Sequence, residues 1–211
     1  MTDRIRFRPT LATSTSQVSG QSRLAQVEAY WTALYRDGQP PARAQIDPRG
    51  IEAALEHAFV VERISQTEAR IRVGGHHLSD LLGMEVRGMP VSSLIAPEAR
   101  RAFGHTLSAL FDRPAICRMT LRSPGAIGQP DLVARLLMLP LRGDGGDISR
   151  ALGCLISEGV IGRTPRRFEI TADTTAPLAT RARTCFAPQP AQGMAESPVV
   201  FLPNLRLVKS D

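Results

Sequence analysis

The apolar positions along the chain fall into two periods. Leu24, Val27, Trp31 and Leu34 recur at helical spacing, which predicts an amphipathic helix over 24–35. Ser22 is placed to cap it, and Gly38 ahead of Pro40-Pro41 to end it. Such a stripe needs a surface, so this helix is expected to pack on something that follows. Asp47 and Pro48 suit the cap and first position of a short helix over 48–56. The period then changes to two. Ala58–Ile64 is rich in β-branched residues, and in Glu68–Val73 the residues Ala69, Ile71 and Val73 alternate with Arg70 and Arg72. Ser65-Gln66-Thr67 between the two runs predicts a β-hairpin.

Gly74-Gly75 ends the second strand. Short helical pieces are expected at His77–Leu82 and Val91–Ile95. A longer helix follows from Pro97 to Phe111, with Phe103, Leu107 and Leu110 on one face. Three more strands are expected at Ala115–Arg122, Asp131–Leu141 and Arg150–Val160, the last two joined by a hairpin turn at 143–146. Asp131–Leu141 is apolar on nearly both faces, so both faces should be covered. One is expected to meet the helices of 75–111; the other meets the N-terminal helix, a second subunit, or both. Two strands, a cluster of short helices and three meandering strands make an α+β domain with one antiparallel sheet. The expected boundaries are a flexible basic arm over 1–23, a domain over 24–162 and a Pro-rich basic tail over 163–211. In that tail Val199–Leu202 and Leu205–Val208 are each able to add a short strand or dock in a partner's groove.

Composition changes this picture in two places. With 211 residues, 43% hydrophobic and 22% charged, the chain can bury one core, and wholesale disorder is excluded. The net charge of +6 invites a nucleic-acid partner. Its distribution argues against one: residues 24–162 hold 15 basic and 15 acidic residues, so the excess lies in the flanks. Cys117, Cys154 and Cys185 are widely spaced and include no CxxC pair. That removes a disulfide framework and a cysteine-rich zinc site, and suits a reducing compartment. No signal segment opens the chain, and the longest apolar run, Leu136–Leu141, is too short to cross a membrane. A cytoplasmic protein with no membrane contact is expected.

Six short motifs carry a resemblance: Tyr30-Trp31, Pro41 to Arg43, Ile46 to Pro48, Arg72 to Gly75, Leu81 to Gly88 and Pro165 to Phe168. In this order they resemble the stand-alone PAS-like family found mainly in alphaproteobacteria, over roughly residues 24–170. One departure is Gly75-His76-His77, where that family usually follows the glycine with Thr or Ser. The resemblance implies a five-stranded sheet in order 2-1-5-4-3, with short helices on its concave face. The space between often holds a ligand or cofactor, and the convex face takes an N-terminal helix and often a dimer partner.

Ile71, Val73, Leu78, Leu82, Phe103, Leu107, Leu136 and Met138 are the candidates for lining that concave interior, whether hollow or filled. His105 lies on the long helix, where haem-binding PAS domains place their ligand. A lone histidine off the Phe103–Leu107 stripe is a weak haem candidate, so no cofactor is required by the sequence. His76, His77 and Asp80 lack a recognised metal spacing. A flavin-adduct photosensor would need a cysteine in Val91–Ile95, which has none. Cys117 and Cys154 lie on strands that the implied order separates, and read as buried inert thiols. Gly143 to Asp147 has no helix behind it, so it is a turn and not a phosphate loop. No spacing unites a nucleophile, a base and an acid, and no GxSxG or HExxH occurs. The expectation is a non-enzymatic sensory module that binds a small ligand or a protein partner, with a homodimer expected. The alternatives are a haem sensor through His105 and nucleic-acid binding through the arginine-rich tails.

Overall fold

The computed structural model describes residues 14–178. Six strands form one antiparallel sheet: β1 Ala58–Arg63, β2 Ala69–Gly74, β3 Ala115–Ser123, β4 Leu132–Arg142, β5 Ile148–Glu158 and β6 Glu169–Pro177. Their order is β2-β1-β5-β4-β3-β6. The first five strands take the expected 2-1-5-4-3 arrangement. The sixth is a difference, because the pattern of the sequence assigned this stretch to the tail. β6 is mostly exposed and is held by main-chain pairing along β3, from Ala115↔Pro177 to Arg122↔Glu169. Backbone pairing without burial leaves no apolar alternation to read. The expected segments Val199–Leu202 and Leu205–Val208 lie outside the described residues.

The described residues also form three α-helices: α1 Ser14–Leu34, α2 His76–Leu82 and α3 Arg100–Asp112. Short 3₁₀ helices lie at Pro48–His57, Val91–Leu94 and Pro97–Ala99. α1 begins well before the predicted cap, so Ser22 sits inside it. The early turns are polar and carry no stripe. At Pro48 the expected cap forms, with the Asp47 side chain accepting the Arg49 N–H at 3.0 Å.

The sheet separates two hydrophobic cores, and β4 feeds both. Leu132, Ala134, Leu136 and Met138 face the concave core, with α2, α3 and the Val91–Leu94 turn above them. Leu137, Leu139 and Leu141 face the convex core, with Val27 and Trp31 of α1 and Ile51 and Ala54 of the 3₁₀ helix. This is the two-sided burial that the apolar run required.

Five of the six short motifs turn out to be joints between layers, and the remaining one, Arg72 to Gly75, closes the β1–β2 hairpin. Trp31 donates its indole N–H to the Pro140 carbonyl at 3.0 Å, tying α1 to β4. The Tyr30 hydroxyl accepts the Asp47 N–H at 2.8 Å. Arg142 donates from Nε to the Pro40 carbonyl (2.8 Å) and from its backbone to that of Pro41 (2.9 Å). After β5 the chain returns over the concave face. There Arg166 donates its backbone N–H to Leu81, and Phe168 donates to Leu94 and accepts from Ala96.

Candidate functional site

The concave core is the site that the sequence singled out. Seven of its eight candidates meet there: Ile71, Leu78, Leu82, Phe103, Leu107, Leu136 and Met138 are each 4% exposed or less and belong to one packed cluster. Val73 does not join them and is 55% exposed. Its exclusion has a local cause. β1 and β2 slip register between Val60 and Val61, so that Val61 opposes Ile71 and Val60 opposes Val73. Arg72 is thus an extra residue, a β-bulge that reverses which way the next side chain faces. Strict alternation from Ala69 to Val73 was the wrong rule at this one position.

Side chains fill the concave space. Phe59 of β1 lies opposite Gly153 of β5, and a Cβ added at Gly153 would come within 2.2 Å of its ring. The glycine leaves room for the ring, and the ring occupies the floor. Phe103, Phe111 and Phe168 join the same cluster. His105 takes no part, because it is on the exposed face of α3 while Phe103, Gly104 and Leu107 are buried. A haem in the concave space would lack that ligand and the room, so the residues present do not fit one.

Three of the four histidines converge at the base of the β1–β2 hairpin. His57 precedes β1 and His76-His77 follow β2. The hairpin brings its two ends together, with Gly75 donating to the Ala58 carbonyl at 2.8 Å. The His57 and His77 rings meet edge to face with centroids 4.5 Å apart. His57 Nε2 lies 2.9 Å from the Arg23 guanidinium and 3.0 Å from Glu56, while His57 Nδ1 is buried with no hydrogen-bond partner among the described residues. His77 Nε2 contacts the Ser157 hydroxyl at 3.1 Å. Burial, then the neighbouring His57, lowers the His77 pKa to about 4. Burial also lowers that of His57, against an opposing pull from Glu56. The predicted hairpin itself carried this signal, since residues flanking a hairpin must be neighbours. Among the described residues no group of three or more His, Cys, Asp or Glu side chains is arranged to hold a metal.

Arg166 was noted only as part of a motif, yet it is wholly buried. Its guanidinium donates to the Ser123 hydroxyl (3.1 Å) and to the carbonyls of Ser123 (3.1 Å), Pro130 (2.7 Å) and Ile161 (3.1 Å). Burial lowers its pKa from the ordinary arginine value, with Asp131 opposing. It clamps the returning chain against the β3–β4 hairpin. Cys117 and Cys154 are buried free thiols in opposite cores, and burial pushes them up to about 11 and about 12.

Against known proteins, a family model described as PAS domain matches residues 20–156. The chain belongs to the PAS domain family. The antiparallel sheet and overlying short helices agree with that family, whose fold points to a sensory signalling module. No curated protein matches the chain. Among solved structures, a light-oxygen-voltage domain studied with a flavin analogue is 17% identical, with 53% of this chain and 83% of that one covered and a TM-score of 0.41. An RNA-binding light-oxygen-voltage receptor is 18% identical, with 56% of this chain and 35% of that one covered and a TM-score of 0.37. No helix among the described residues is long and apolar enough to cross a membrane.

Proposed function

We propose that this PAS domain is a non-enzymatic regulatory module that acts by binding a protein partner, its concave core serving as a packed scaffold. The observation that carries this reading is the filled interior: Phe59 over Gly153, with seven candidate lining residues packed on one another. A ligand entering there would first have to displace close-packed side chains, at the cost of their contacts. The surface offers an alternative. On the convex side, between α1 and β3, β4 and β6, lies a depression of about 350 Å³ with Leu24, Ala25 and Leu137 in its wall. The ion pair between Glu28 and Arg118 lies at the same place. A second copy of the chain seated there would extend the cover that α1 begins, making a homodimer.

Native mass spectrometry and light scattering of the full chain purified from its own host test this reading. The expected result is a dimer or a protein complex without a small-molecule adduct. A monomer carrying a stoichiometric small molecule would overturn it. Leu24→Asp is expected to return a dimer to monomer while leaving the melting curve cooperative.

A further inference from the structure

A second depression, of about 500 Å³, lies on the outer side of the β2–β1–β5 edge. Four arginines line it: Arg43, Arg72, Arg87 and Arg150. They come from four separate elements, a short 3₁₀ turn, the bulge in β2, the loop after α2, and β5. One carboxylate, Glu62, lines it with them and is shared by Arg72 and by Arg150 at 3.7 Å. Asp144 also pairs with Arg150, at 2.9 Å. The guanidinium groups of Arg43 and Arg87 form no ion pair among the described residues, although the Arg87 backbone N–H donates to Glu85 at 3.0 Å. The floor is apolar: Val60 is 7% exposed, and beside it is Val73, turned outward by the bulge. The bulge that removes Val73 from the core thus gives this groove both an arginine and a valine.

We infer that this groove docks an extended, carboxylate-rich segment of a partner protein, with an apolar side chain of that segment on Val60 and Val73. The inference rests on the partner-binding reading above and gives the partner a chemistry. Charge complementarity selects an anion, since guanidinium forks pair with carboxylates. The layout selects an extended one. Arg72 and Arg150 stand on strands separated by β1, with backbones roughly 10 Å apart, and their side chains lean toward each other onto Glu62. Arg87 lies outside β2, and Arg43 follows Ala42, which bridges Arg142 on β4, so the cations continue beyond both ends of that span. A compact anion would need open donors converging on one point; the point where Arg72 and Arg150 converge is already held by Glu62, and the guanidiniums without a carboxylate, Arg43 and Arg87, come from elements on either side of it.

The test is fluorescence anisotropy of the full chain with a fluorescein-labelled octapeptide alternating glutamate and leucine. The expected result is saturable binding that weakens about tenfold in Arg43→Glu/Arg87→Glu and falls steeply with salt. The single Arg87→Glu, at an exposed position, should weaken it in the same direction with an unchanged melting temperature. Arg101→Glu/Arg113→Glu on and beside α3 makes the same charge change elsewhere and should leave binding intact. Equal weakening by both double variants would overturn the groove, showing attraction to net charge alone. Displacement of the peptide by inorganic pyrophosphate at lower concentration than by unlabelled peptide would overturn the peptide assignment. A change of oligomeric mass in Arg43→Glu/Arg87→Glu would assign the groove to a second copy instead. Loss of the groove on any of these grounds leaves the mass-spectrometric test of the module untouched.

Discussion

Acid should loosen this domain through its histidine cluster, and the size of the effect follows from the geometry. His77 is partly buried at the hinge between β2 and α2, its ring against His57 and its Nε2 on Ser157. Its neighbours within the cluster are His57 and His76, which disfavour its proton, and Asp80 and Glu56, which favour it. Burial, reinforced by His57, outweighs the two carboxylates and lowers its pKa from 6.5 to about 4. The folded protein therefore binds this proton more weakly than the unfolded chain does. Between those two values the unfolded chain carries more protons, so stability is complete above pH 6.5 and is lost as pH falls toward 4. At about 1.4 kcal/mol per pKa unit, acidification from pH 7.5 to 4.5 removes about 2 kcal/mol through His77 alone. His57, lowered by the same burial, adds loss in the same direction. Carboxylates such as Asp112 and Asp131, held below the ordinary value by hydrogen bonds from Arg63 and Arg122, give a loss of the same sign only at lower pH than this range. His77→Gln separates the two effects, because glutamine keeps a polar group near Ser157 without titrating. Urea unfolding followed by fluorescence of Trp31, the single tryptophan, measures both proteins at pH 7.5 and 4.5. The wild type should lose about 2 kcal/mol more than His77→Gln. Parallel losses in the two proteins would refute the argument, and so would an NMR titration placing the His77 imidazole near its ordinary value.

Other consequences concern packing and the buried polar groups. Arg166→Leu strands three carbonyls and the Ser123 hydroxyl, and should cost about 3 kcal/mol or more in urea unfolding; Arg166→Lys, with fewer donors, should recover only part of it. Gly153→Ala drives a methyl into the Phe59 ring and should cost about 1–3 kcal/mol, whereas Gly153→Ala/Phe59→Leu should regain much of that loss. In a Cys185→Ser chain, neither Cys117 nor Cys154 should react with a thiol reagent at pH 8 until urea unfolds the protein, since burial holds both thiols protonated.

Much of the architecture is readable in the order of residues. The hairpin at 58–74, the long helix after Pro97 and the last three strands of the predicted set lie where periodicity put them, within a few residues at each end. The concave residues were readable for the same reason, because a side chain on an apolar face at the right spacing has one place to go. The exceptions share a cause. Val73 was misassigned because a bulge depends on which residue the neighbouring strand presents. β6 escaped notice because it offers the sheet its backbone and almost none of its side chains.

The chain's own periodicities determined the type and order of elements and the two-sided burial of β4, because those depend on residues a few positions apart. Tertiary structure alone decided which distant groups meet. It brought His57 against His77, set Arg166 among carbonyls from three segments, and lined four arginines along one groove. Such meetings depend on strand register and on how far side chains reach between elements, and neither leaves a local pattern in the order of residues.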